Sequence, residues 1–555
     1  MIKHKKTFSP HLILAIILVI SFFLRFYRLG INIPSLYSDD LGHLQMLFSI
    51  QGQITILGLF SKFLHLLFTF TWALGPTVLG IRFATALYGS LIPLFMFFFV
   101  KAVNRKNIQV ALVSSALSTV LPWSFMISRG AYTHIPLIII LTLVHLTLFI
   151  KAKKITQYLV SLIPLLLAAN YYPSMIVITP LVIPFYAHHL YRKTKTKKQK
   201  QAILITTMML AFTIIAIFFT RYNGFTKQSR GVSLVITNDV NVTAETNLYR
   251  GYSQKTSPSI FSFGLPTETV ANKLLYNFPA AVVRQFTENY LSFFSPDFLF
   301  LKGDSVLRHS TGQFGVFFPV LLPFMVYGAF IFFNKTKKKH KQLLLLWIII
   351  SPIPAAITND GAKYLLRVVT LLPLLTYFSA LGITKYISLF KAKTKTIIST
   401  VVFSAILFSA YGFFFGYFHV YPTLSAQSYE YGFRELSDFQ VENNNQPLLV
   451  LWEGPYPNSY FRFYQQTKLS EYFGFNTKEI IIGNSLFYQT FDNLYFSWPK
   501  SKQDLDSFLT QYQVPHIAFP KTYLLNNPQY TPAFSLPPEL ILFPDLSTAF
   551  TIYKL

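Results

Sequence analysis

Residues 11–30 read HLILAIILVISFFLRFYRLG. The run carries no charge until Arg25, and a membrane-spanning helix needs about 20 predominantly apolar residues. The basic stretch MIKHKK before it would suit a signal peptide, but no small-residue cleavage site follows. The stretch therefore reads as a first spanning helix, and the rest of the chain extends that reading. Of 555 residues, 52% are hydrophobic and 12% charged, with a mean hydropathy of +0.43. A soluble globular domain carries about 25% charged residues. The net charge of +27, from 48 basic and 21 acidic side chains, would suggest nucleic acid in a soluble protein. Here the basic residues fall in short runs between apolar segments, which is how membrane topology is written, so no nucleic-acid partner is expected. The chain has no cysteine, which excludes disulfides and thiolate metal sites.

Further apolar segments lie near 81–101, 107–127, 132–150, 155–170, 173–190, 201–220, 312–333, 342–358, 365–384 and 397–417. With the first they predict about eleven transmembrane helices. Segment 54–75 is apolar but broken by Lys62, His65 and Gly75, and is read as lying in or beside the interface. The tracts KHKK, KAVNRK, KAKK, YRKTKTKKQK, NKTKKKHK and KYISLFKAKTK fall at every second connection. The positive-inside rule puts them in the cytoplasm and leaves the C-terminus outside. All 21 acidic residues then fall on the outer side. Two outer segments are large: 221–311, polar and aromatic, and 418–555. In the latter PLLVLWE (447–453), EIIIG (479–483), HIAF (516–519) and AFTIYKL (549–555) read as short buried strands. The expected fold is an α-helical polytopic membrane domain over 1–417, with outer loops 29–80 and 221–311, followed by an extracytoplasmic α/β domain over 418–555.

Carboxylate chemistry is thus expected on the outer face. Asp39 and Asp40, in IPSLYSDDLGH (33–43), are the only carboxylates in the first 238 residues. One reading is a helix cap at Ser38 or Asp39. The other is a general base that takes a proton from an acceptor hydroxyl, with one aspartate reacting and its neighbour orienting. His43 stands four residues after Asp39, so the two could share a divalent ion, although two ligands do not make a site. Arg129, in PWSFMISRGAYTH (122–134), either snorkels to headgroups or binds phosphate; His134 ends that stretch. Tyr171 and Tyr172 sit at an outer helix end, as belt aromatics or as stacking groups for a sugar or lipid phosphate. Asp304, Arg308 and His309, in ENYLSFFSPDFLFLKGDSVLRHSTGQFG (288–315), suggest a site wall. Lys363 and Arg367, in SPIPAAITNDGAKYLLRVVTLLP (351–373), would share a helix face that suits a phosphate.

These motifs, in this order over roughly residues 10–420, resemble the GT-C glycosyltransferases that use polyprenyl-phosphate sugars. The similarity is to the protein O-mannosyltransferase group (family 39), in its bacterial branch, and to related aminoarabinose transferases. It rests on PSLYSDD, IRFATALYG, SRGAY, NYYPS, SPDFLFLKGDSVLRH and PIPAAITNDGAKYLLR. The resemblance implies Asp39 as catalytic base, with Asp40 where the family usually has Glu. It implies a polyprenyl-phosphate sugar donor in the outer leaflet, inversion at the anomeric carbon, and a protein, lipid or glycan acceptor. The leaving phosphate would be stabilised by Arg129, Lys363 or Arg367 without an obligatory metal; a divalent ion is compatible with the scheme. Some relatives carry an acid just after the second-loop arginine, where this chain has Tyr132, Thr133 and His134. A flippase for lipid-linked sugar and an oligosaccharide ligase of the same fold are the competing readings.

Overall fold

The computed structural model describes residues 9–33, 35–37, 40–41, 77–105, 107–132, 134–194, 196–221, 234–255, 274–336, 338–454, 457–465, 477–490, 493–527 and 537–555. Asp39, His43 and the 54–75 segment lie outside the described residues. The chain forms two compact units. One comprises Met1–Arg25 with Thr85–Phe414, the other Phe26–Ala84 with Phe415–Leu555. The described residues between α1 and α2 fall in the second unit with the C-terminal segment.

The first unit is helical. The long helices are α1 (Pro10–Phe26), α2 (Val78–Val103, of which Val78–Ala84 belongs to the second unit), α3 (Ile108–Val120), α4 (His134–Lys151), α5 (Ile155–Tyr171), α6 (Pro173–Lys193), α7 (Lys197–Arg221), α8 (Val240–Lys255), α9 (Phe278–Ser292), α10 (Leu322–Lys335), α11 (Lys338–Ile350), α12 (Leu372–Ile387) and α13 (Ala392–Phe415). Among the described residues four helices are long and apolar enough to cross a membrane: Val78–Val103, His134–Lys151, Pro173–Arg192 and Ala392–Ser425. Six shorter apolar helices accompany them. The chain is a membrane protein.

Prolines shorten several of the expected helices, the one over 312–333 included, which starts only at Leu322 after Pro319. Leu121 is extended (φ −66°, ψ 139°) before Pro122, because a residue preceding proline avoids the helical region. α3 therefore stops at Val120, and a short helix, Pro122–Met126, leads to Arg129. α11 likewise ends before Pro352, and Ile353–Ala356 forms a separate turn. The segment expected as one helix over 365–384 is a four-residue helix, Leu365–Val368, then α12 with Pro373 in its first turn, where proline is tolerated.

α10 and α12 cross through glycine. A Cβ on Gly328 would collide with the Phe378 carbonyl and stand 2.8 Å from the Gly382 nitrogen. A Cβ on Gly382 would collide with the Phe324 carbonyl and stand 3.0 Å from the Gly328 nitrogen. Small residues let membrane helices approach this closely, and the gain is van der Waals contact along the pair.

In the second unit, residues 448–554 build one seven-stranded sheet. Its strands are β1 (Leu448–Leu451), β2 (Lys478–Ile482), β3 (Ser485–Thr490), β4 (Leu494–Ser497), β5 (His516–Pro520), β6 (Glu539–Leu542) and β7 (Thr548–Lys554), in the order β2-β3-β4-β1-β5-β7-β6. β1 pairs in parallel with β4 and β5, and the outer pairs are antiparallel. α14 (Phe433–Glu442), α15 (Pro457–Tyr464) and α16 (Lys502–Tyr512) accompany it. Phe508 of α16 stacks on Phe487 at 4.0 Å, within a core that includes Leu449, Ile517 and Phe519. The four strand motifs read from sequence are β1, β2, β5 and β7. β3, β4 and β6 went unread: SLFYQT and LYFS mix polar and aromatic residues, and ELIL shows no alternation.

Candidate active site

The acidic doublet's described member, Asp40, belongs to the second unit and is 1% exposed. Its amide donates to the Tyr37 carbonyl at 2.8 Å, and its Oδ2 accepts the Tyr37 amide at 3.1 Å. This is the reaching-back half of a capping box, so Asp40 fixes the start of a helical turn. Two buried phenols from the C-terminal segment, Tyr429 and Tyr460, lie within the field of its charge. Burial, with the Asp40 charge adding to it, pushes both well above the usual phenol range, so they remain neutral. Tyr460 donates a hydrogen bond to Glu430.

In the first unit the cationic and acidic motifs gather around Tyr364. Its ring lies 4.3 Å below the Arg367 guanidinium and 5.1 Å from the His309 ring. His309 also meets Tyr132 edge to face at 5.4 Å. Burial pushes the Tyr364 phenol up to about 12, and the charges of Asp304, Arg308, Arg367 and Asp360 all act on it. The phenol is therefore a hydrogen-bond donor at neutral pH. Tyr172 joins this group through the fields of Tyr364 and Arg367, and His134, at the start of α4, tilts against Tyr172 at 5.2 Å. Tyr171 ends α5 and is half-buried.

Lys363 and Arg367 do not share a helix face, contrary to the spacing argument. Lys363 precedes the short helix and adopts the left-handed conformation, φ 57°, which costs a non-glycine residue about 1–2 kcal/mol. Two contacts hold it there: its amide donates to Ser292 Oγ at 3.0 Å, and its Nζ pairs with Asp297 at 2.5 Å. Arg367 pairs through both Nη atoms with Asp360 and donates to Thr358 Oγ1 at 2.6 Å. Each cation is thus matched by one acid, and both side chains keep some exposure. Lys363 holds the Asp297 carboxyl below the usual carboxylate range, chiefly by the hydrogen bond. A depressed carboxylate stabilises the fold above its unfolded-state value of about 3.9. That contribution is lost as pH falls through the lower folded-state value, so the pair is constant across neutral pH.

Asp304 and His309 are buried, at 4% and 3% exposure, and act on the backbone. Asp304 accepts the amides of Val306 at 2.7 Å and Leu365 at 2.6 Å, and His309 Nδ1 donates to it at 3.0 Å. The carboxylate therefore ties the 302–309 loop to the residue between Lys363 and Arg367. Asn289 adds a second tie, donating to the Thr358 carbonyl at 2.8 Å. Arg129, 1% exposed, donates from Nη1 to the carbonyls of Leu24 at 3.1 Å and Arg25 at 2.9 Å. It caps the C-terminal end of α1, where cations are favoured, a structural duty the sequence reading did not assign. Among the described residues no group of three or more His, Asp or Glu is placed to hold a metal ion.

No family model matches the chain, and neither does any curated protein. Solved structures do. The chain is similar to the apo oligosaccharyltransferase of Archaeoglobus fulgidus, with a TM-score of 0.49, 12% identity, and coverage of 92% of this chain and 70% of that one. The oligosaccharyltransferase AglB of Archaeoglobus fulgidus, in complex with an inhibitory peptide and a dolichol-phosphate, gives a TM-score of 0.49, 12% identity, and 99% and 74% coverage. ArnT from Cupriavidus metallidurans, in the apo state, gives 0.46, 11%, and 98% and 97%.

Sequence reasoning missed Tyr364, Arg82, Tyr429 and Tyr460. Tyr364 stands between the two cations it serves, and its neighbours were the only signal. Tyr429 and Tyr460 carry no local signal, since they meet a loop almost 400 residues earlier in the chain.

Proposed function

We propose that this chain is an inverting glycosyltransferase that moves a sugar from a polyprenyl-phosphate donor to an acceptor hydroxyl on the outer face of the cytoplasmic membrane. Asp39 takes the acceptor's proton, and Asp40 orients the turn that carries it. Attack at the anomeric carbon expels polyprenyl phosphate, whose charge Lys363 and Arg367 receive as it develops; Arg129, buried, steadies α1. Tyr364 and Tyr172 supply phenol donors at neutral pH. His134 and Arg308 border this group, Tyr171 adds an aromatic surface, and Asp304 and His309 hold its loop in place. No nucleotide sugar is present outside the cell, so a lipid must carry the sugar there. The observation that carries this reading is the burial of Asp40 at the start of a helical turn among phenols, in a chain whose only carboxylates before residue 239 are Asp39 and Asp40.

The deciding experiment incubates the purified protein with a panel of undecaprenyl-phosphate sugars and membrane extract, and finds by mass which component gains a sugar. Release of undecaprenyl phosphate with a matching acceptor product supports the proposal; intact donor across the panel overturns it. The proposed multi-pass topology has its own test. Reporter fusions after residues 200 and 340 should read cytoplasmic, and those after 260 and 430 extracytoplasmic. An inverted pattern removes the outer-face argument.

The cations can be tested without disturbing the backbone. Asparagine tolerates the left-handed conformation that Lys363 adopts, so Lys363→Asn removes the amine while keeping the turn. It should raise the donor KM by about 10-fold, the worth of one charge-assisted hydrogen bond, with the acceptor KM unchanged. Equal donor KM in the variant and the wild type would make Lys363 a loop anchor only.

A further inference from the structure

Arg82 is 0% exposed, and its hydrogen bonds go to backbone rather than to an acid. Nη2 donates to the Ser35 carbonyl at 2.6 Å and Nη1 to the Ile33 carbonyl at 3.1 Å. The two carbonyls are thus bridged by one side chain. A guanidinium fork can span both oxygens, whereas a lysine ammonium is a single point of charge. The Arg82 guanidinium lies 6.0 Å from the centre of the Tyr429 ring, and Tyr421 Oη donates to Tyr429 Oη at 3.4 Å. Other contacts run along the same stretch. Tyr27 meets Phe418 edge to face at 5.3 Å, Asn32 Nδ2 donates to the Tyr417 carbonyl at 3.0 Å, and Ser35 Oγ lies 3.5 Å from Tyr464 Oη. Tyr27, Asn32 and Ser35 therefore contact residues of the 417–464 segment, and Arg82 is a buried cation that meets the same segment at Tyr429.

We propose that Arg82 is a positioning residue for the acidic doublet: it clamps the Ile33 and Ser35 carbonyls near Tyr429, so that the turn that starts at Asp40 begins at a fixed place. The proposal rests on the reading of Asp39 as general base. It also gives the C-terminal segment a part in the reaction, because Tyr429 backs the clamp. Arg82 touches no reacting atom, so its loss should show in turnover and in backbone order rather than in donor affinity.

The test uses the full chain in lipid nanodiscs. Arg82→Lys keeps the charge and loses the fork. Amide hydrogen exchange over residues 29–37 should quicken at least 10-fold, and kcat on the undecaprenyl-phosphate sugar panel should fall at least 10-fold, with donor KM within twofold. Wild-type exchange overturns the clamp whatever the activity. Quickened exchange with wild-type kcat overturns the positioning role and leaves a core arginine. Should Arg82→Lys fail to give monodisperse protein, Tyr429→Leu removes the ring behind the clamp. It should move both readouts the same way, and wild-type values in both overturn the proposal. Asp39→Asn, measured alongside, separates the two claims. An inactive Asp39→Asn beside a fully active Arg82→Lys sinks this inference alone, whereas a fully active Asp39→Asn sinks the base assignment and this inference with it.

Discussion

Asparagine at position 39 is expected to lower transfer by about 10²- to 10⁴-fold, the range a general acid or base contributes. The substitution keeps size and polarity and removes the basic oxygen. Fold and expression should be unchanged, so monodispersity serves as the control for the activity assay. Asp40→Asn is the informative companion. Its remaining carbonyl oxygen can still accept the Tyr37 amide, so the turn should persist while the second charge is lost. A smaller loss than at position 39 assigns the reaction to Asp39 and the orientation to Asp40. The reverse order exchanges the two roles. A transporter of lipid-linked sugar has no proton to abstract, so it should keep its flux in both variants. Wild-type turnover in Asp39→Asn would refute the transferase mechanism proposed above.

The sequence was most legible where the physics is local. Each of the expected spanning segments is helical at its centre among the described residues, because an apolar stretch must satisfy its backbone internally. Misjudged ends lie at Pro122, Pro319, Pro352 and Pro373, where one residue decides whether a helix continues. The strands recovered are those with unbroken branched or aromatic runs, such as β7 with AFTIYKL. The candidate site was legible as a set of motifs and not as a geometry. Lys363 and Arg367 are four residues apart, and four residues mean one face only if the stretch is helical. The left-handed turn at Lys363 depends on Ser292 and Asp297, some 70 residues upstream, and no window on 351–373 contains that information. Asp304 shows the same limit from the other side. Its bond to the Leu365 amide, some 60 residues downstream, shows in no local window of sequence. The C-terminal tyrosines were out of reach for the same reason, since only the tertiary contact gives them a role.

The largest structural effect is expected where two site-bearing segments are held in register. The 288–318 segment, with Asp297, Asp304 and His309, runs into α10; the 358–369 segment, with Lys363, Tyr364 and Arg367, runs into α12. The relative height of these segments is therefore set by the α10–α12 crossing, and that crossing turns on Gly328 and Gly382. Alanine at either position places a Cβ against a backbone carbonyl of the other helix, and neither side can yield as a flexible side chain would. A cost of about 1–3 kcal/mol is expected for each alanine, as for other overpacked cores. Because the two glycines occupy one contact, the double variant should cost less than the sum. Leucine at position 328 should abolish monodisperse protein altogether. The alanine variants carry the functional test. A shift between the helices should weaken the Leu365 amide's bond to Asp304 and lower turnover, whereas Val326→Ala, on the exposed side of α10 and away from the crossing, should leave turnover unchanged. Thermal unfolding in detergent and turnover, measured together on Gly328→Ala, Gly382→Ala and Val326→Ala, decide it. If both glycine variants melt with the wild type and retain full turnover, the helices do not meet at these positions, and the site segments are registered by loop contacts such as Asn289 with Thr358.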